Sequence, residues 1–273
     1  MSQFRFHGYA IGAAARIVEP FNDVLASQAV AAVGLIGGHS VSTAEGFRYR
    51  DIFKFDRAHS QVTGSKCQGQ CGSPEGSHST HMQASIEGLD VLSMVTADRI
   101  VANVVSTDTV SPDGEPSVRL IGTRFENLRI AGIPVQVDLA TDLFDAYDTY
   151  SSLAAGYKDN DAVRSMIDRP GAANPAEAPG HVRPWLHLRE SKKEIPEYRG
   201  RTRTSLVRNL KAERSGFEAW GHVIHVKGFG TIRLAEVEIS RRTRLVNMLQ
   251  IDLDCPRQGY VMFIEVCDGG EGY

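Results

Sequence analysis

Between residues 81 and 139, apolar side chains recur at every second position and turn-forming residues break the run at short intervals. A period of two belongs to a strand whose side chains alternate between core and solvent. A chain with so long a stretch of this pattern must build a sheet, and its other segments must pair with that sheet, insert into it or extend from it. Met82, Ala84, Ile86 and Gly88 alternate with Gln83, Ser85 and Glu87, and a change of face near Leu89 and Asp90 predicts a bulge or tight turn. Residues 100–105 are apolar on both faces apart from Asn103, as expected of a central strand covered above and below. Ser111-Pro112-Asp113-Gly114 has strong turn chemistry, which predicts a hairpin between Val105 and Val118. Ile133, Val135, Val137 and Leu139 give the cleanest alternation of all.

The flanking segments read in the same terms. FRFHGYA and AARIVEP predict two short strands, and LASQAVAAVGLIGG reads as strand and turn because Gly34, Gly37 and Gly38 oppose the helical bias of its alanines. In FRYRDIFKFDRAHSQVTG, aromatic residues alternate with charged ones, giving a strand with one dry face and one wet face. Residues 64–79 hold no large apolar anchor and predict a loose exposed loop. At Thr141 the period changes to 3.6: Leu143, Ala146, Tyr147, Tyr150, Leu153, Ala154 and Tyr157 share one helical face. Thr141 is the expected N-cap, with Asp142 and Asp145 near the positive end of the dipole. A second short helix is expected over 160–168 and another over 205–213, with a proline-rich linker between them. From residue 216 the strand pattern returns in WGHVIHVKG, GTIRLAEVEIS, LVNMLQIDLD and YVMFIEV.

These patterns predict a mostly β chain, an antiparallel β-sandwich or flattened barrel with an inserted helical segment. Residues 1–140 form the first part of the sheet, 141–172 a helical insertion, 173–215 a proline-rich basic excursion, and 216–273 the part that completes the same domain. A hydrophobic content of 42% excludes wholesale disorder. A net charge of −3 gives no global reason to expect nucleic acid. No run reaches the roughly 18 apolar residues of a membrane helix, and the opening residues lack a signal peptide's pattern, so a cytoplasmic protein without a membrane span is expected.

The runs IEGLDVLSMVTADRIVANVVS and FENLRIAGIPVQVDL, followed after the insertion by GFGTIRL and LVNMLQIDL, resemble the bacterial choice-of-anchor P family. The resemblance implies a β-rich, exported surface protein and brings no catalytic residues. It therefore sets a surface location beside the cytoplasmic one that the residues themselves predict.

Candidate chemistry is sparse. Cys67, Cys71, His78 and His81 combine two thiols and two imidazoles in one loop, the ligand set zinc prefers, although the spacing is shorter than in zinc fingers, and a plain unstructured loop, preferred to the metal, or a local disulfide also accounts for it. No other cofactor is expected. Arg199, Arg201, Arg203 and Arg208 form the strongest charge feature and a candidate site for an acidic ligand, set against a solvated face paired with Glu190, Glu194, Glu197 and Glu213. His222 and His225 fall at i and i+3, on opposite faces of a strand. Asp138, Asp142, Asp145 and Asp148 offer carboxylates, two of them already explained by a helix start. The leading functional expectation is a non-enzymatic structural or binding module that forms a homo-oligomer through sheet edges or the inserted arm. The alternative is an enzyme or small-ligand binder with a barrel-like pocket lined by Phe47, Tyr49, Phe53 and Phe55, with His59 or His222 as polar groups.

Overall fold

A computed structural model describes residues 4–67, 76–108, 114–172, 178–180, 182–186, 194–197, 200–212, 217–254, 258–269 and 271–272. The chain opens with β1 (Phe4–Arg5), β2 (Gly8–Glu19), β3 (Asp23–Val33), β4 (Gly38–Tyr49), β5 (Phe53–Lys66), β6 (His78–Val91) and β7 (Val95–Asp108). Shorter strands follow: β8 (Ser117–Arg119), β9 (Arg124–Glu126), β10 (Arg129–Ile130) and β11 (Ile133–Leu139). Three helices come next, α1 (Thr141–Ala146), α2 (Tyr150–Asp159) and α3 (Asp161–Asp168), then 3-10 turns at Pro170–Ala172 and Arg183–Leu186. The remainder is β12 (Thr202–Ser205), β13 (Val207–Ala212), β14 (Glu218–Trp220), β15 (Val223–Val226), β16 (Gly230–Ile239), β17 (Arg244–Asp254), β18 (Gln258–Asp268) and β19 (Glu271–Gly272).

Among the described residues these strands pair, throughout antiparallel, into two large sheets and the small β1–β19 pair. The front sheet runs β13-β11-β10-β7-β6-β5-β4, with β8 and β9 also on β7; the back sheet runs β14-β15-β16-β17-β18-β2-β3, with β12 also on β16. β2 lies against β5 and β6, and β18 against β6 and β7, so the inner faces of both sheets make the core. Each sheet keeps two edges, and the fold is a sandwich rather than a closed barrel. The expected hairpin forms, with Ser106 opposite Val118 and Val105 opposite Arg119; of its turn, residues 111–113 lie outside the described residues. Ile100, Ala102 and Val104 are fully buried and Val101 nearly so, as the apolar run requires.

Interruptions of the ladders decide which side chains share a face. Gly88, at φ 62°, interrupts the β6 register near the predicted change of face, and a Cβ there would stand 2.1 Å from Asp56 Oδ2. In the back sheet the ladders of β16, β17, β18 and β2 skip Ala235, Met248, Ile264 and Gly12 in turn. The register is the same on either side of these positions, so the interruption is shared by neighbouring strands at one level of the sheet. It also resets the alternation, so Arg233 and Glu236, three residues apart, lie on one face and bond at 2.8 Å.

Three expectations are corrected. FRFHGYA and AARIVEP belong for the most part to one continuous strand, β2, in which Gly12 is an unpaired position of the ladder rather than a break. Where a helix is predicted over 205–213, the described residues are strand on either side of Leu206, which donates its N–H to Ala235 O and accepts at its carbonyl from Ala140 N, so the chain leaves the back sheet as β12 and enters the front sheet as β13. Strands that bend from one sheet to the other close the corners of such sandwiches. The helical period from 141 to 157 is real but broken, because Asp145 and Asp148 serve β8 instead of a continuous helix. Asp145 Oδ1 accepts from Leu120 N at 2.7 Å, and Asp148 accepts from the Ser117 hydroxyl at 2.5 Å.

The N-cap follows suit. α1 has no side-chain cap, whereas Thr149 and Ser152 form a reciprocal capping box at the start of α2. Thr149→Ala should cost about 1 kcal/mol, read as a lowered urea midpoint with an unchanged slope; no change would show that packing alone holds α2. The helical face buries Tyr150, Leu153 and Tyr157 in the same core as the sheets, and α3 touches β12.

Candidate functional site

The interrupted ladders of the back sheet gather polar side chains on its outer face. Arg203, Glu238, Leu245, Cys267 and Tyr9 lie in register across β12, β16, β17, β18 and β2. Glu236, Asn247 and Glu265 form the next row, and beyond the interruptions Arg233 stands opposite Gln250. Residues so paired have Cβ atoms about 5 Å apart. All of these except Tyr9 and Cys267, together with Arg201, Thr204 and Val237, line a cleft of about 320 Å³.

Within it the charges balance. Glu238 accepts from Arg203 at 2.8 Å and from Arg201 at 3.2 Å, while Arg233 bonds Glu236 and reaches Asp252 at 3.2 Å. The Arg233 guanidinium also sits 4.3 Å from the ring centre of Trp185, a stacking that fastens one turn of the basic excursion onto the sheet. Glu265 accepts a hydrogen bond from the Tyr9 hydroxyl at 3.0 Å. Burial pushes its carboxyl above the ordinary range, opposed by that bond and reinforced by the charge of Glu238. Burial likewise raises Asp252 and pushes the Cys267 thiol up to about 11. The Asn247 carboxamide oxygen is buried with no hydrogen-bond partner, a costly arrangement when nothing donates to it.

A second polar group lies inside the sandwich, at one end. Arg244 and Asp268 are cross-strand neighbours on β17 and β18, and both are buried, as are Ser106 and Asp108 on β7. Burial lifts Asp268 to about 7, with Ser106 opposing and Asp108 adding to the shift. Burial lifts Asp108 to about 6, opposed by Arg242. Arg244 is lowered to about 10 by burial, against the pull of Glu115, Asp268 and Asp148.

The sequence-predicted sites divide. Arg201 and Arg203 meet in the cleft, whereas Arg208 stands on β13 of the other sheet, paired with Asp142 and Asp138; Arg199, Glu190 and Glu213 lie outside the described residues. Glu238 engages Arg201 and Arg203, and Asp142 and Asp138 engage Arg208. Of the Cys/His set, Cys71 lies outside the described residues. β6 sends His78 and His81 to opposite faces: His78 stacks on Phe4 at 4.3 Å, and His81 Nε2 meets Asn103 Oδ1 at 2.6 Å. Among the described residues no three His, Cys, Asp or Glu side chains are grouped to hold a metal. Of the aromatic set, Phe53, Phe55 and Tyr49 are buried in the core, with Phe53 edge-on to Phe263 at 5.1 Å, and Phe53 also borders a surface pocket together with Arg48, Arg50 and Ser93. His59 bonds Thr43 on the surface, and His222 is buried on the other sheet with Nε2 3.6 Å from Glu236. Asn247, Glu236, Arg233 and Glu265 escape a reading by alternation, since the interruptions disrupt it. The polar Asn247 and Gln250, three apart in the otherwise apolar run Leu245–Ile251, were the available signal.

Among the described residues no helix is long and apolar enough to cross a membrane. No curated protein and no solved structure matches the chain. A family model described as a domain of unknown function, DUF8256, matches residues 4–240, most of the two sheets and the whole helical insertion, and the chain belongs to that family.

Proposed function

We propose that the protein is a non-enzymatic binding module that associates with a second copy of itself through the β3 edge of the back sheet. The observation that carries this reading is the lack of protection on that edge. From Leu25 to Val33 the strand bears no charged residue and no proline, the usual devices that keep edge strands apart. Val24 is 69% and Val30 43% exposed, and the turn that follows presents Leu35 and Ile36, the latter 95% exposed. Other edges are defended: β4 carries Glu45 and Arg48, β13 carries Arg208 and Lys211, and β14 is three residues long with Glu218. An uncharged strand meets its own twofold copy without opposing like charges, as a self-complementary contact requires. The surface location implied by the choice-of-anchor P resemblance suits such assembly.

Sedimentation equilibrium over a wide concentration range tests it. The wild-type chain should form a reversible dimer, and Val30→Lys, which sets two ammonium groups against each other at the contact, should weaken it at least about tenfold. A wild-type chain that stays monomeric throughout, or a Val30→Lys dimer as strong as wild type, overturns the reading.

A further inference from the structure

We infer that the cleft on the outer face of the back sheet, at Arg203, Asn247 and Glu265, is a binding site for a small neutral, hydroxyl-rich ligand of the saccharide or polyol class. This goes beyond the proposed association and does not depend on it, since the cleft lies on β12, β16, β17 and β18 while the association uses β3.

Size comes first. A volume of about 320 Å³ falls at the small end of the range that holds organic ligands, about 300–1,000 Å³. Placement comes second. Arg233, Glu236, Glu238, Asn247 and Glu265 stand on the central strands β16, β17 and β18 in ladder register, which holds them more rigidly than loops would.

Charge then selects the ligand class. Three guanidinium groups, Arg201, Arg203 and Arg233, face three carboxylates, Glu236, Glu238 and Glu265. An anion entering the cleft meets the glutamates and a cation meets the arginines, so neither gains what a single-sign site would give it. A neutral ligand meets no such opposition.

Unused hydrogen-bonding capacity points the same way. The Asn247 oxygen is buried and receives no hydrogen bond, and the residue itself is only 7% exposed. Glu265 receives the Tyr9 hydroxyl, although a carboxylate accepts about four hydrogen bonds. Arg201 and Arg203 share the one carboxylate of Glu238, although each guanidinium carries five donors. The cleft thus presents spare acceptors beside spare donors. A hydroxyl is both donor and acceptor, so a ring bearing several of them answers both sets at once.

Saturation-transfer difference NMR on the full chain is the test. The probes are glucose, galactose, N-acetylglucosamine, cellobiose and myo-inositol, each at about 10 mM, a level that registers even millimolar affinity. Sulfate and glutamate serve as anionic and zwitterionic arms, followed by competition and by shifts of the protein's side-chain amide resonances. At least one neutral probe should bind, and Glu265→Gln, Asn247→Leu and Arg203→Gln should each weaken it by about tenfold or more. Arg203 is exposed, so its variant separates loss of binding from loss of folding. Failure of every neutral probe, preference for sulfate or glutamate, or wild-type affinity in all three variants overturns the inference.

Discussion

Replacing Phe263 by alanine should lower stability by about 3–5 kcal/mol, the cost of removing a large ring from a closed core. Phe263 is completely buried on β18, and its ring meets Phe53 of the opposite sheet edge to face at 5.1 Å. The substitution therefore removes a contact between the two layers and leaves a void at their centre. Such edge-on pairs contribute about 0.5–1.5 kcal/mol beyond the area they bury. At about 2–4 °C per kcal/mol for a chain somewhat shorter than this one, the melting temperature should fall by roughly 10 °C. Urea unfolding followed by tryptophan fluorescence measures it, and a loss under about 1 kcal/mol would mean that the two sheets do not meet there.

Acid should stabilise the protein between pH 8 and pH 5, and Asp268→Asn should abolish most of that gain. A carboxyl whose folded pKa stands at about 7 against an ordinary 3.8 folds more readily protonated than charged. Its favourable contribution is complete below about pH 4 and disappears as the pH rises through about 7. Asp108, lifted to about 6, acts in the same sense, while Arg244 beside them limits the effect by favouring one negative charge. The change should be on the order of 2–4 kcal/mol. Asp268→Asn, neutral at every pH, should exceed wild type in stability at pH 8 and show a flatter profile, as parallel urea titrations at the two pH values would reveal. A variant less stable than wild type at pH 8 would show instead that Arg244 holds Asp268 charged.

What could be read from residue order was the part of the fold governed by local periodicity. The strands β6 and β7, the hairpin to β8 and the turn of period at Thr141 follow from alternation and turn chemistry, whereas the single strand expected over 47–64 is split by a turn into the end of β4 and β5. Segments whose conformation is set by distant partners resisted that reading. Residues 202–212 resemble a helix locally, but Leu206 is bonded to Ala235 and Ala140 at once, and no local pattern encodes two partners in two sheets. The same holds for the site. Arg201 and Arg203 stood out by their charge, whereas Asn247 and Glu265 were hidden because the ladder is interrupted at Met248 and Ile264, which changes the strand phase that alternation relies on. Phe47, Phe53 and Phe55 were legible as one aromatic face, but whether such a face meets a ligand or another sheet depends on strands some two hundred residues away.

The back sheet joins the two ends of the chain: β18 lies between β17 and β2, and Tyr9 bonds Glu265 across 256 residues of sequence. Chain closure over such a span is slow, because loop entropy must be overcome before the contacts form. During synthesis the β2–β3 hairpin must wait for β18, exposing an open strand edge on each side. The front meander from β4 to β7, whose neighbours are consecutive in sequence, has no such wait. Order of assembly is thus written into the topology, with the front sheet as the template on which the back sheet is completed last.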